Sequence, residues 1–181
     1  VCNELYEKPD FAASCRSLKK AGWQGIEIAP FTLQNDATTL PAERRREVRD
    51  IIQSEGLEFV GLHWLTVGPS GLHVTTPDEA MRKNSWDFVR RLVDLCADLR
   101  QGDSGGVMVL GSPKQRETTG GLSPEQAAAN FVEGVRSIAG HLEDRSVTLL
   151  VEALPSEQCN VITSLDEAVE IVGQVNSPGV R

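Results

Sequence analysis

Short apolar runs alternate along the chain with longer segments of helical period. Residues 1–5, residues 25–30, Glu58–Leu62, Gly106–Leu110 and Val147–Val151 read as strands, the second of them ended by Pro30. Between them lie helical stripes. Phe11, Cys15 and Leu18 share one face after Asp10, and Gly22 closes that helix. Pro41 opens a second helix that carries Val48, Ile51 and Ile52 and stops at Gly56. Thr76-Pro77-Asp78-Glu79 starts a long helix with Trp86, Val89, Leu92, Val93, Cys96 and Leu99 inward, followed by a turn over residues 102–105. Ser123-Pro124-Glu125-Gln126 is a capping box ahead of Phe131, Val135, Ile138 and Leu142. Ser164 with Glu167 is another, ahead of Ala168, Ile171, Val172 and Val175, and Asn176-Ser177-Pro178-Gly179 is a turn.

Five rounds of strand then helix predict an α/β fold with a parallel sheet. The last three strand segments are nearly continuous apolar runs, as expected of strands covered on both faces. From Ile26 to Val147 each unit takes roughly 40 residues, so eight would need about 320. A (β/α)8 barrel would therefore be present as its first five units, in one partial domain over residues 1–181. The alternative is a five-stranded doubly wound sheet, which fits the length as it stands. Strand order separates the two: sequential neighbours mean a piece of barrel, a mid-sheet reversal a doubly wound domain. The chain opens at Val1 inside a strand-like run and stops at Arg181 where another begins, so both ends read as cut.

Composition removes several classes. With 40% hydrophobic and 24% charged residues the chain is globular, not disordered. The 18 Lys and Arg against 26 Asp and Glu give a net charge of −8, which opposes a phosphate-backbone ligand. Arg44-Arg45-Arg46 does not reverse this, because Glu43, Glu47 and Asp50 interleave with it as a salt-bridged helix face. No apolar run approaches the ~20 residues of a membrane span, and the opening residues do not form a signal peptide. A cytoplasmic location is expected. Cys2, Cys15, Cys96 and Cys159 form no C-x-x-C pair and read as small buried hydrophobes in a reducing compartment. There is no G-x-G-x-x-G, P-loop or G-x-S-x-G.

In parallel α/β folds chemistry sits at the carboxyl ends of strands. Glu152 follows Val147–Val151, where a carboxylate costs several kcal/mol unless paired, hydrogen-bonded or metal-bound. It reads as a divalent-metal ligand that can also serve as a general base, against an acid that caps the next loop or pairs with a neighbouring cation. Glu27, between Ile26 and Ile28, either points into the site as a supporting or substrate-contacting group or sits in a structural ion pair. His63, at a strand end beside Trp64, is a ligand, an acid, a substrate hydrogen-bonder or a satisfied core residue. Lys114 and Arg116 hold a substrate phosphate or hydroxyls, or belong to a solvated loop. His73 and His141 read as loop and helix surface, and Trp64 and Trp86 as core or pocket wall.

Taken together, Asn3-Glu4, Gly25-Ile26-Glu27-Ile28-Ala29-Pro30, His63-Trp64, Gly111-Ser112-Pro113 and Val151-Glu152-Ala153-Leu154-Pro155 resemble the sugar-phosphate isomerase/epimerase group of the xylose isomerase-like barrels. The resemblance runs through the whole chain in order, and it points to the superfamily, not to a substrate. It implies a (β/α)8 barrel with a divalent metal held by a Glu ending strand 5, an Asp ending strand 6, a His of strand 7 and a Glu ending strand 8. Glu152 falls on the first of these; the other three would lie beyond Arg181. Glu157 resembles a substrate-contacting acid, and residues 160–163 resemble the family's loop at that place. Mn2+, Mg2+ or Co2+ suits such a site, Zn2+ less so. The implied reaction removes a proton next to the carbonyl of a sugar or hydroxyketone, through an enediolate.

Neither a nucleic-acid nor a membrane partner is expected, and the full-length protein should be a homo-oligomer. The 181-residue chain alone is expected to be inactive. An endonuclease IV-like zinc enzyme and a non-catalytic α/β binding module are the alternatives.

Overall fold

Four parallel strands pair in chain order, β1 (Gly25–Ile28), β2 (Glu58–Leu62), β3 (Gly106–Leu110) and β4 (Val147–Val151). A computed structural model describes residues 1–5, 10–102 and 105–181 of the protein. Sequential order is what a barrel segment requires. It overturns the doubly wound alternative, whose strand order must reverse so that helices cover both faces of an open sheet.

Residues 1–5 do not form the expected strand. Cys2 makes a single parallel bridge to Glu27, whose N–H donates to the Val1 carbonyl at 2.8 Å. Asn3–Leu5 then turns as a 3-10 helix. The buried Asn3 side chain fixes the departure. Its Oδ1 accepts from the Ala29 N–H at 2.8 Å and its Nδ2 donates to Thr32 Oγ1 at 2.7 Å. At the far edge Val180 makes a parallel bridge to Leu149, so the final segment begins to pair as expected. Asp103 and Ser104 of the expected turn lie outside the described residues.

Strand pairing aligns Ile28 with Leu62, Leu62 with Met108 and Met108 with Leu149, a row of fully buried apolar side chains across the sheet. Five helices pack around it: α1 (Phe11–Lys20), α2 (Ala42–Ser54), α3 (Glu79–Leu99), α4 (Pro124–Asp144) and α5 (Leu165–Val175). Their starts follow the sequence signals. Asp10 accepts from the Ala12 N–H, Asp78 from Met81, and Ser123 with Gln126 forms the reciprocal box. At α5 the box is offset: Ser164 accepts from Glu167 N–H, but the Glu167 carboxylate accepts from Thr163 N–H. No described helix is long and apolar enough to cross a membrane.

The basic triplet is structural, since Arg44 pairs with Glu47 and Arg45 reaches Asp98 of α3 at 2.9 Å. Two histidines read as surface are not. His141 lies against Asp94 at 3.0 Å between α3 and α4, and His73 is half-buried with its pKa lowered by that burial.

Trp86 joins α3 to α4. It meets Phe131 edge-on at 5.6 Å, and its Nε1 donates to the Val74 carbonyl. A Cβ at Gly134 of α4 would lie 1.9 Å from that Nε1, whereas one at Gly140 meets nothing within 4 Å. Gly140→Ala should therefore stabilise by about 0.5–1 kcal/mol through helix propensity. Gly134→Ala, the same change one helix stretch earlier, should destabilise by about 1–3 kcal/mol through overpacking. Urea unfolding of the two variants checks the opposite signs.

Candidate active site

The rim at the carboxyl ends of the strands collects the groups singled out above. Glu27 lies in β1, His63 one residue past β2, Gly111 one past β3 and Glu152 one past β4. His63 N–H donates to the Ile28 carbonyl at 3.0 Å, which continues the β1–β2 ladder and places the imidazole between two acids. Its Nδ1 lies 3.4 Å from Glu27 Oε2 and its Nε2 lies 3.8 Å from Glu152 Oε2. The three side chains retain about a quarter to a third of their exposure, so they are shielded but still reached by solvent.

The local sequence accounts for this placement. A register shift between Ile26 and Glu27 sets Glu27 beside Gly61. Leu110 pairs with Val151, so the next residues, Gly111 and Glu152, fall side by side. A Cβ at position 111 would lie 1.8 Å from Glu152 Oε2, and glycine is what leaves the carboxylate its place. Trp64 walls the site. Its ring stacks on His63 at 5.7 Å and 17°, and its Nε1 donates to Glu4 Oε1 at 3.2 Å.

The backbone is strained at the same rim. Trp64, Ser112 and Ile162 all have positive φ, at 55°, 28° and 61°. Ile162 is β-branched, for which this conformation is costly. Strain of this kind persists only where surrounding contacts enforce it. Ser112 Oγ accepts from the Thr66 N–H, and the Ile162 carbonyl accepts from the Leu154 N–H.

Charge tunes the His63 pair. The Glu27 carboxylate, through its hydrogen bond, raises the His63 pKa above 6.5, with Glu152 adding to the effect. His63 in turn holds Glu27 below 4.5. Burial pushes the Cys2 thiol up to about 12, and the neighbouring Glu4 carboxylate adds to the rise.

The remaining expected residues divide. Lys114 and Glu157 are exposed, on the loops after β3 and β4. Arg116 is fully buried, neither on a solvated loop nor open to a substrate. Its Nη1 donates to the Leu110 carbonyl at 3.2 Å and the Glu152 carbonyl at 2.7 Å, so it ties the ends of β3 and β4 together. Among the described residues its Nε and Nη2 are buried without a hydrogen-bond partner, so Nη1 alone makes the tie. Cys2, Glu4 and Gly111 join the site without having been singled out as site residues. Only the Asn3-Glu4 and Gly111-Ser112 strand-end positions hinted at the last two, and nothing local marked Cys2.

Among the groups on the rim, Glu152 is a hard oxygen donor. Its carboxylate fills the volume that a side chain at position 111 would take.

A family model described as xylose isomerase-like TIM barrel matches residues 15–181. No curated protein matches the chain. Among solved structures, a D-psicose 3-epimerase with D-tagatose from Clostridium cellulolyticum H10 is 20% identical with a TM-score of 0.82, over 100% of this chain and 61% of that one. A 3-keto-D-glucoside 4-epimerase from E. coli, in its apo form, is 16% identical with a TM-score of 0.79, over 100% of this chain and 65% of that one. A xylose isomerase-like TIM barrel protein from Mycobacterium smegmatis in complex with magnesium is 18% identical with a TM-score of 0.63, over 94% and 54%. At these identities the likeness is one of fold, and the chain spans under two thirds of each of these structures.

The ion pair between His63 and Glu27 sets a pH window. Glu27, with its pKa depressed, contributes stability above pH 4.5 that is lost as pH falls through its folded value. His63, with its pKa raised, contributes below pH 6.5, and this is lost as pH rises through its folded value. Glu27→Gln should return the His63 pKa toward 6.5. NMR titration of the His63 ring protons reads this directly; an unmoved pKa would show that Glu27 is not its main partner.

Proposed function

The chain belongs to the xylose isomerase-like TIM barrel family, and from that premise we propose that it carries the strand-1 to strand-5 side of a metal-dependent sugar or hydroxyketone isomerase/epimerase. The single observation that carries this reading is the placement of Glu152. It ends a buried apolar strand on the functional rim, in the room that Gly111 leaves it, with the His63 imidazole 3.8 Å away.

In this reading Glu152 both holds a divalent cation and takes the proton from the carbon beside a substrate carbonyl. The cation, when bound, supplies Lewis-acid polarisation of the carbonyl and its neighbouring hydroxyl oxygen. His63 presents Nε2 to the Glu152 side of the site, and Glu27 beside its Nδ1 favours the protonated ring, which can donate to substrate oxygen or to the Glu152 carboxylate. Trp64 supplies an apolar wall for the sugar's carbon face. Lys114 and Glu157, exposed on the flanking loops, contact hydroxyl or phosphate groups. Arg116 serves as a positioning residue, since its bonds to the Leu110 and Glu152 carbonyls set where Glu152 begins. The acidic rim of Glu4, Glu27, Glu152 and Glu157 favours a small, cation-bridged substrate over a polyanion.

Further metal ligands are expected from polypeptide following this region, and the isolated 181 residues are expected to turn over no substrate. With Mn2+ in D2O, the full-length protein should exchange deuterium into the carbon beside the carbonyl of a ketohexose. Glu152→Gln should lower that rate by roughly 100-fold or more. Wild-type exchange by E152Q would overturn the reading.

A further inference from the structure

A second group of donors lies behind Glu152. The Cys2 thiol, the Glu27 carboxylate and the His63 imidazole each present a ligand atom, all within 4.8 Å of one another. Three separate chain segments deliver them, and the Cys2–Glu27 bridge fixes two of them in register. Glu4 lies nearby. Glu4 Oε1 accepts from Trp64, but Glu4 Oε2 is buried and has no hydrogen-bond partner. A buried carboxylate oxygen with no partner costs on the order of 1–3 kcal/mol, more where it is charged. Nearby Cys2 and His63 both feel the Glu4 charge.

We propose that Cys2, Glu27 and His63 form a zinc-class cation site, separate from the cation held by Glu152. The donor chemistry selects the ion. One sulfur, one imidazole nitrogen and one or two carboxylate oxygens form the mixed set of a four-coordinate Zn2+ or Co2+ centre, and Mg2+ prefers oxygen alone. As the cation binds, the Cys2 S–H bond and the His63 Nδ1–H bond both break, and the two protons pass to solvent. The imidazole orients itself. Nδ1 faces Glu27, so it takes the metal, and the proton is then held on Nε2, pointing at Glu152. The buried cation would thus set the tautomer of the residue that faces the reacting carboxylate.

The site does not depend on the isomerase reading, and the test keeps the two apart. Equilibrium dialysis of the purified chain against Zn2+ should show one tightly held equivalent. Cys2→Ser should weaken it by about tenfold or more. Stoichiometric Co2+ should give a near-ultraviolet sulfur-to-cobalt charge-transfer band in the wild type and in E152Q, absent in C2S. Should C2S fail to fold by circular dichroism, loss of the band in Glu27→Gln carries the same test. No band in the wild type, or C2S binding Zn2+ as tightly as the wild type, would overturn the proposal.

Discussion

Parallel pairing of consecutive strands is the constraint from which the rest of the molecule follows. Because β1 to β4 pair in chain order and point the same way, every strand ends on one rim. The helices must then return along the other face, where Ile28, Leu62, Met108 and Leu149 form a dry row beneath them. Burial of that row fixes the register, since a slip of one residue would turn the apolar positions away from the helices. A fixed register in turn places the residue after each strand, and so brings His63, Gly111 and Glu152 together from segments about 40 to 50 residues apart in sequence.

Room on the rim is limited, and small residues decide who occupies it. Gly111 stands beside Glu152 because the strands that precede them are paired to their last residue. Any side chain at 111 would compete with the carboxylate for one volume. The same logic operates within the helical layer, where Gly134 yields its place to the indole of Trp86. Strained backbone at Trp64, Ser112 and Ile162 is the counterpart of this crowding. The loops are bent into conformations that open chain would not choose, so that side chains at the strand ends keep their orientation.

Electrostatics on the rim is lopsided. Glu4, Glu27 and Glu152 converge on one imidazole, and the buried Arg116 spends one nitrogen on carbonyls rather than on any of these acids. Such an excess of negative charge is costly in a half-desolvated place and falls when cations enter. That excess is the physical basis of the metal dependence proposed for the site.

Much of this was legible in the residues alone. Strand and helix alternation, the capping signals at Asp10, Asp78, Ser123 and Ser164, and the isolation of Glu152 after an apolar strand all report local physics, because propensity, periodicity and the cost of burying a carboxylate act over a few neighbouring residues. The N-terminal segment could not be read this way. A strand needs partners, and only the folded chain shows that Cys2 makes one bridge before Asn3 turns it aside. The fate of Arg116, the offset cap at α5 and the pairing of His141 with Asp94 were equally hidden, because each depends on which distant carbonyl or carboxylate happens to lie within reach. The residue types able to do chemistry were written in the sequence; which of them meet was settled by strand register, a property of hydrogen bonds between segments that no single segment contains.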